Sequence, residues 1–254
     1  MIKIIIQARM GSRRLPGKMA MPIIDNKGAL ELMIERVRQV QLPHMLIVAT
    51  SDLPEDNVIM GICNKLNVVC FRGSSSDVLE RYFKAAMTCG ERADTIVRLT
   101  GDCPLNDANM IEEVIAFYTE NQVAYVSNTD PPTYPDGLDV EVMSLKALEY
   151  AHLNAKKDIE REHVTVYIRE NKAMFKSGNV SSNINYSDLR WTLDEPEDFD
   201  FIKAVYQDLY PKNPKFKMDD ILQLCKDKPE LLNINKQHQR NEAYHKQVKE
   251  SNDQ

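Results

Sequence analysis

The chain has 254 residues, of which 43% are hydrophobic and 28% are charged, a composition typical of a globular protein that holds one large α/β domain. Its 38 acidic residues outnumber its 32 lysines and arginines, and the net charge of −6 argues against bulk nucleic-acid binding, which needs a basic surface. Five scattered cysteines without a CxxC pair argue against a zinc site and against a disulfide framework.

Short β-rich segments alternate with helical patterns through the first half of the chain. A continuous apolar run predicts a buried strand over Ile2–Gln7, and apolar residues at helical spacing predict a helix over 29–40. Further strands are predicted over 45–49, 68–71, 95–99 and 123–126, and further helices over 54–66, 77–89 and 108–120. This βαβ series predicts an α/β fold with a doubly wound, mostly parallel sheet that carries helices on both faces.

The pattern changes in the second half, which begins with a turn-rich stretch over 129–137 that contains three prolines. Ser144 is a candidate N-cap between a predicted strand and a predicted helix. The predicted elements of this half are strands over 138–143 and 189–193, helices over 145–153 and 199–209, and short elements over 162–169 and 174–180. The polar tail from Asn235 onward is predicted to be an exposed helix or partly disordered.

The segment that follows the first strand has the composition of a polyphosphate-binding loop. It reads QARMGSRRLPGK over 7–18 and is called the phosphate loop below. Ligands of open α/β sheets bind beyond the carboxyl ends of the strands, where glycine lets backbone N–H groups approach oxygen atoms and arginine or lysine binds phosphate. The spacing matches neither GxGxxG nor GxxxxGK[ST]. We therefore predict a triphosphate site without a Rossmann dinucleotide motif or a P-loop, and the alternative is a solvated basic turn.

Two aspartates follow later predicted strands and should lie at the same edge of the sheet as the phosphate loop. Asp102 occurs in LTGDCP, and Asp194 occurs in RWTLDEPEDF. Such residues are often only turn or helix caps, but Mg²⁺ prefers one or two carboxylates together with phosphate oxygens. We predict that Asp102 and Asp194 bind Mg²⁺. Three further acids are predicted to favour the N-terminus of the next helix electrostatically: Glu195, Glu197 and Asp198.

Six motifs together resemble the sugar-acid cytidylyltransferases, which make CMP-Kdo and CMP-sialic acid, and the closer match is the SpsF-like branch, named for spore-coat polysaccharide biosynthesis. In chain order the motifs are IIQARMGSRRLPGK, FRGSSSDVLERY, RLTGDCPL, YPDGLDVEV, EREHVTVYIR and RWTLDEPEDF. The resemblance implies a Rossmann-like fold of the nucleotide-diphospho-sugar transferase type. It also implies a nucleotidyltransferase domain over 1–210, an inserted acceptor and dimerisation region at about 130–180, and a C-terminal helical tail over 211–254.

The resemblance also implies roles for individual residues. The implied catalytic residues are Arg14, Lys18 and Asp102, and the implied metal ligands are Asp102 and Asp194. The implied nucleotide-binding residues are Gln7, Ala8, Arg9, Gly11, Ser12, Arg14, Lys18, Gly73, Ser74, Asp77 and Arg81. Acceptor binding is the candidate role of Asp136, Asp139, Glu141, His163 and Arg169. The alternatives are a structural role for His163 and a surface ion pair with Glu162 or Glu170 for Arg169.

The implied reaction is Mg²⁺-dependent transfer of CMP from CTP to a sugar or sugar acid, with release of pyrophosphate, in surface polysaccharide biosynthesis. Gln7 replaces the proline common in the Kdo and sialic-acid enzymes, so two alternatives stay open: another nucleotide donor for a sugar phosphate, and a non-catalytic nucleotide-binding domain. Relatives suggest a homodimer. The N-terminal apolar run is too short for a signal peptide or a membrane span, so a cytoplasmic protein that binds neither nucleic acid nor membranes is expected.

Overall fold

The computed structural model describes residues 1–240 and 242. Its strands in chain order are β1 (Ile2–Gln7), β2 (Pro22–Ile24), β3 (Lys27–Gly28), β4 (His44–Ser51), β5 (Val69–Gly73), β6 (Thr95–Thr100), β7 (Tyr125–Ser127), β8 (Glu141–Ser144) and β9 (Ser177–Asn179). Seven of them form one sheet in the order β5-β4-β1-β6-β8-β7-β9, and β2 pairs with β3 in a separate antiparallel hairpin.

The central sheet is parallel from β5 through β4 and β1 to β6. One strand departs from this direction, because β8 lies between β6 and β7 and runs antiparallel to both. The outermost pair, β7 and β9, is parallel again. The α/β fold with a mostly parallel sheet, predicted from the βαβ series, is therefore confirmed.

The helices cover both faces of the sheet. In chain order they are α1 (Ala29–Val37), α2 (Asn57–Leu66), α3 (Val78–Thr88), α4 (Ala108–Asn121), α5 (Leu145–Asn154), α6 (Asp158–Glu162), α7 (Val166–Glu170), α8 (Pro196–Leu209) and α9 (Met218–Asp227), with 3-10 helices at Pro54–Asp56 and Pro229–Asn233. Side chains accept hydrogen bonds at the starts of several helices, including α3 and α5. Asp77 accepts a hydrogen bond from the N–H of Glu80 at 2.8 Å, and Ser144 accepts one from the N–H of Ala147 at 3.0 Å, as its predicted N-cap role requires.

Successive side chains of β1 point to opposite faces of the sheet and enter different cores. Ile4 and Ile6 pack in a cluster with residues of α1, α2 and α4, whereas Ile5 packs in a cluster with residues of α3 and α5. All three isoleucines are fully buried. Since a strand covered on both faces has no solvent-facing side, a continuous apolar run was the correct sequence pattern for it.

The sheet strand predicted over 189–193 was wrong, because this segment makes only an isolated bridge with Asp136. Its backbone bonds go to loops: the N–H of Asp136 donates to Leu189 O at 2.8 Å, and the N–H of Leu193 donates to Asp102 O at 2.7 Å. Four consecutive residues of the segment, 190–193, are nevertheless buried. Trp191 is fully buried in a third apolar cluster that α8 and α9 complete.

The C-terminal part of the chain contributes to this third cluster through Phe216, Ile221 and Leu231. The division into a domain over 1–210 and a tail over 211–254 stays a prediction. Residues 235–240 form turns rather than an exposed helix, and Asn235 is buried, so that part of the tail prediction was wrong. The remainder of the predicted tail, 241 and 243–254, lies outside the described residues. Within 1–240 and 242, no helix combines the length and the apolar character needed to cross a membrane.

Candidate active site

The candidate site lies at the edge of the sheet where β1 and β6 end. The N–H of Gly101 donates to Gln7 O at 2.7 Å, so the turn after β6 is joined directly to the start of the phosphate loop. A cavity of about 500 Å³ opens at this edge and is called the first cavity below. Its wall includes Arg14, Asp102 and Asp194, together with all five acceptor candidates: Asp136, Asp139, Glu141, His163 and Arg169.

The phosphate loop is held in a folded conformation by its own backbone and by Asp56. The carbonyl of Met10 accepts hydrogen bonds from the N–H groups of Ser12 at 2.8 Å and Gly17 at 3.2 Å. Gly17 has φ +75°, a left-handed conformation that favours glycine. Asp56 accepts from the N–H of Met10 at 2.7 Å and from that of Ser51 at 3.0 Å, which ties the loop to the end of β4. The loop is therefore organised before any ligand arrives.

Lys18 lies between the two aspartates that the sequence proposed as metal ligands. Its Nζ is 3.1 Å from Asp102 Oδ2 and 2.8 Å from Asp194 Oδ1, and it also donates to Leu193 O at 2.8 Å. The residue is only 6% exposed. Burial by itself lowers the pKa of Lys18, but the two carboxylates outweigh it and raise that pKa above its usual value. The ammonium group is therefore charged at neutral pH.

Arg14 reaches the same group from the solvent side. Its Nη2 is 3.1 Å from Asp194 Oδ2, and its Nη1 is 2.9 Å from Glu195 Oε1. Burial opposes the rise, but these two carboxylates raise the pKa of Arg14. The structure thus brings Arg14, Lys18, Asp102 and Asp194 together on one rim, the arrangement that binding of a metal–triphosphate would require, and their individual roles stay predictions.

Asp198 organises the turn that presents Asp194. It is fully buried and receives two hydrogen bonds from the guanidinium of Arg190, each at 2.9 Å. It also accepts from the N–H groups of Asp194 at 3.0 Å and Glu195 at 2.9 Å. Burial raises the pKa of Asp198. The hydrogen bonds and charge of Arg190 lower that pKa by a larger amount, so the net pKa lies below the usual value of 3.8. Asp198 therefore caps the start of α8, as predicted.

We expect Asp198→Asn to lower the free energy of unfolding by about 3 kcal/mol near neutral pH, because it removes the buried carboxylate that accepts two hydrogen bonds from Arg190. The folded-state pKa of Asp198 is depressed, so its stabilisation is present above the ordinary pKa and is lost as the pH falls through the folded-state value. Urea unfolding at about pH 7 and about pH 3 should show the difference between the two proteins shrinking in acid. Asp200→Asn, on an exposed position of the same helix, is the control; a deficit that persists in acid would contradict this account.

Glu141 is the most fully paired carboxylate of the acceptor side. It accepts hydrogen bonds from the hydroxyl groups of Tyr125 at 2.5 Å and Thr165 at 2.6 Å, and it forms a close ion pair with Arg98. Burial raises the pKa of Glu141, but Arg98 and then Arg169 outweigh it and hold that pKa below its usual value. Glu141 is therefore a fixed negative charge between two cations on the wall of the first cavity.

Asp136 and Asp139 form a second acidic group on this wall. Arg190 Nη1 is 3.3 Å from Asp136 Oδ2, and Arg240 forms a close ion pair with Asp139. Burial and the neighbouring Asp139 raise the pKa of Asp136 to about 7, although Arg240 and Arg190 oppose the rise. This carboxyl group can therefore accept or donate a hydrogen bond near neutral pH.

The other nucleotide-binding candidates lie around the ends of β4 and β5. Arg9 and Asp77 line a second cavity of about 530 Å³, where Asp77 Oδ2 accepts from Arg161 Nε at 2.9 Å. Arg81 is fully buried and donates from Nη1 to Ser74 O at 2.5 Å, directly after Gly73. The remaining nucleotide-binding candidates lie in the phosphate loop. Gln7 Oε1 is 3.5 Å from Arg98 Nη2, and Ser12 Oγ accepts from the N–H of Leu15 at 3.2 Å. Ala8 is buried, and Gly11 adjoins Glu55.

The sequence interpretation missed the arginines that partner the site acids. Arg98 and Arg190 lie within motifs that were interpreted through other residues. Each is a cation inside a mainly apolar segment, and this pattern could have indicated a buried partner for an acid. Arg240 lies in the polar tail, where nothing in the sequence distinguishes it from its neighbours.

A second group of metal-ligand side chains contains Glu195, His238 and Glu242, with one ligand atom of each lying within 4.8 Å of the others. Glu195 already pairs with Arg14, and His238 Nε2 lies 3.2 Å from Glu197 Oε2. Glu242 Oε1 accepts from the N–H of Gln239 at 2.6 Å, so each of the three side chains already has a protein partner. Asp102 and Asp194 remain the better candidate metal pair because both contact Lys18 of the phosphate loop.

The mostly parallel sheet, with a cationic loop after β1 and two aspartates facing it at the same edge, defines a nucleotidyltransferase of the nucleotide-sugar transferase fold. The family model described as cytidylyltransferase matches residues 3–249, so the chain belongs to the cytidylyltransferase family. The resemblance drawn from the six motifs is confirmed.

The chain is also similar to two curated relatives and to one solved structure. Over 235 residues the chain is 36% identical to an uncharacterized protein of Methanocaldococcus jannaschii, covering 91% of this chain and 93% of that protein. Over 215 residues it is 34% identical to the spore coat polysaccharide biosynthesis protein SpsF of Bacillus subtilis, covering 81% and 86%. It is also similar to the solved structure of a cytidylyltransferase from Leptospira borgpetersenii, with a TM-score of 0.85, 34% identity and coverage of 91% and 96%.

Proposed function

We propose that this protein transfers CMP from CTP to a hydroxyl group of a sugar or sugar acid, with release of pyrophosphate, during surface polysaccharide biosynthesis. The observation that carries the proposal is the contact of Lys18 with both Asp102 and Asp194 on the wall that also holds the acceptor candidates. Membership of the cytidylyltransferase family supports CTP as the donor. Similarity to SpsF supports the polysaccharide pathway.

In the proposed reaction the acceptor hydroxyl attacks the α-phosphorus of CTP in line with the departing pyrophosphate. A bond forms between the hydroxyl oxygen and the α-phosphorus, and the bond from the α-phosphorus to its bridging oxygen breaks. The bridging oxygen leaves with pyrophosphate, and the hydroxyl proton is released to solvent. This chemistry needs neutralised phosphate charge and a fixed geometry more than a covalent nucleophile. Arg14 and Lys18 would stabilise the charge that develops on pyrophosphate, while Arg9 and the backbone N–H groups of the phosphate loop would hold the triphosphate.

The residues at the rim also suit Mg²⁺, which binds carboxylate and phosphate oxygens. The side chains of Asp102 and Asp194 are 29% and 22% exposed toward the cavity, so both can reach an ion. These two aspartates would hold Mg²⁺, and the ion would neutralise phosphate charge and orient the nucleotide. The Mg²⁺ requirement, the homodimer and the cytoplasmic location stay predictions.

The acceptor side of the first cavity combines carboxylates with cations. Asp136 and Asp139 can accept hydrogen bonds from sugar hydroxyl groups. Arg169, whose charge already acts on the nearby Glu141, and His163 stand on the same wall and can face an acceptor carboxylate. This mixture supports a polyhydroxylated acid as the acceptor better than a neutral or apolar molecule.

CTP with Mg²⁺ should raise the melting temperature more than ATP, GTP or UTP at the same concentration. At about 100 times its Kd, a nucleotide adds about 2.7 kcal/mol of stability by mass action. For a chain of this size that corresponds to a rise of about 5 to 10 °C. A larger rise with GTP or UTP would reverse the assignment of the donor base.

The reaction itself is tested by incubating the protein with CTP, Mg²⁺ and a panel of sugars and sugar acids. The expected result is pyrophosphate release that depends on one acceptor class, with a product heavier than the acceptor by one CMP residue. Binding of CTP without turnover across the whole panel would favour a non-catalytic nucleotide-binding domain instead.

A further inference from the structure

The C-terminal segment, residues 235–240, is anchored to the acceptor side of the first cavity. Asn235 is 4% exposed and donates from Nδ2 to Arg190 O and to Asp198 Oδ1, both at 2.9 Å. Arg190 in turn donates from Nη1 to Gln239 O at 3.0 Å. Arg190 and Asp198 therefore hold both ends of the segment, and the same two residues shape the turn that presents Asp194.

This anchoring places the side chain of Arg240 on the cavity wall. The side chain is 13% exposed; its guanidinium forms a close ion pair with Asp139 and donates from Nη1 to Tyr134 O at 3.0 Å. Its Nε lies 3.9 Å from Asp136 Oδ1. Arg240 thus contacts three groups: the backbone carbonyl of Tyr134, the carboxylate of Asp136 and the carboxylate of Asp139.

Two neighbouring carboxylates repel each other, and a cation between them offsets that repulsion. Burial raises the pKa of Asp139, and Arg240 opposes that rise. Asp136 has a second partner in Arg190, whereas the contact that the structure gives to the Asp139 carboxylate comes from Arg240. Within the described part of the chain, the hydrogen bonds and ion pairs of Arg240 are with Tyr134, Asp136 and Asp139, none of which belongs to the phosphate loop.

We propose that Arg240 is a positioning residue for the acceptor: it holds Asp136 and Asp139 in the orientation in which they bind hydroxyl groups of a sugar acid. The inference rests on the proposed function and deepens it. The acceptor half of the site is therefore completed by a segment more than a hundred residues further along the chain than the aspartates it holds.

The test compares the KM values for acceptor and for CTP in Arg240→Ala. We expect the acceptor KM to rise by about 10- to 100-fold, the loss associated with a charge-assisted hydrogen bond, while the KM for CTP stays within about twofold. Arg240→Lys should reverse part of the rise in acceptor KM, since an ammonium group can replace one contact of the planar guanidinium but not all of them. The control is Lys236→Ala, which removes an exposed cation from the same segment; its Nζ contacts only Asn233 among the described residues.

A double-mutant cycle separates positioning from a general loss of structure. Asp139→Asn and Arg240→Ala should each raise the acceptor KM, and the double variant should be little worse than the more severe single one, because both act through one contact. Equal rises in both KM values, additive effects, or an unchanged acceptor KM in Arg240→Ala would overturn the inference. If the unaltered protein releases no pyrophosphate with CTP and a panel that includes Kdo and sialic acid, the proposed function fails, and this inference fails with it.

Discussion

Asp102→Asn is expected to reduce acceptor-dependent pyrophosphate release by at least about 100-fold. The substitution keeps the size of the side chain but removes the negative charge that faces Lys18 at 3.1 Å and that would bind Mg²⁺. Initial rates at saturating CTP, measured over a range of Mg²⁺ concentrations, check the prediction. Raising the Mg²⁺ concentration should recover only part of the lost rate, since asparagine is a weaker ligand for a hard cation.

The matched control is Asp200→Asn, which makes the same chemical change on the exposed face of α8. Its rate should stay within about twofold of the unaltered protein, as is usual for surface substitutions. A rate for Asp102→Asn within a few-fold of that control would remove Asp102 from the metal site. The assignment of Asp194, its partner across Lys18, would then need independent support.

Lys18→Met is expected to reduce pyrophosphate release by at least about 1,000-fold, because the ammonium contacts both aspartates and, in the proposed reaction, would stabilise the leaving group. It should also lower the free energy of unfolding by about 3 kcal/mol, since two partly buried carboxylates lose their shared cation. Lys18→Arg should not restore the rate. The site is only 6% exposed, so it has no room for the larger planar guanidinium.

A readout without turnover separates the two effects of Lys18→Met. If Asp102 and Asp194 form the metal pair, Mg²⁺ should raise the melting temperature of Lys18→Met more than that of the unaltered protein, because the ion replaces the missing positive charge. Arg13→Met, which removes a neighbouring exposed cation of the same loop, should leave both rate and melting temperature nearly unchanged. An active Lys18→Met protein would show that the Lys18 ammonium is not needed to stabilise the leaving group.

The sequence was sufficient to predict the nucleotide half of the fold. In that half a continuous apolar run has one physical cause, which is burial on both faces of the sheet. The apolar runs of β1, β4 and β6 are buried on both faces of a parallel sheet, and the residues after β1 and β6 therefore had to meet at one edge. The meeting of Lys18 with Asp102 follows from that topology. Asp194 was expected at the same edge from a predicted strand over 189–193, but it joins them instead through the turn that Asp198 holds.

The acceptor half was less predictable because its alternating patterns have several possible causes. The segment 189–193 alternates like a half-buried strand, yet its burial comes from packing of Trp191 in the third cluster. The pairing of β8 between β6 and β7 depends on contacts between distant segments, which no local pattern encodes. Arg240 reaches Asp139 only because Asn235 and Gln239 fasten the segment, and polar residues in a polar tail carry no such information.

The reversed direction of β8 has a consequence for how these enzymes can diverge. A strand that runs against its neighbours presents its first residue, Glu141, rather than its last, at the catalytic edge. The loop before it, which carries Asp136 and Asp139, can therefore lengthen, shorten or mutate without shifting the register of β1 and β6. Selection for a new acceptor could act on that loop alone, while the machinery that handles the nucleotide is inherited unchanged.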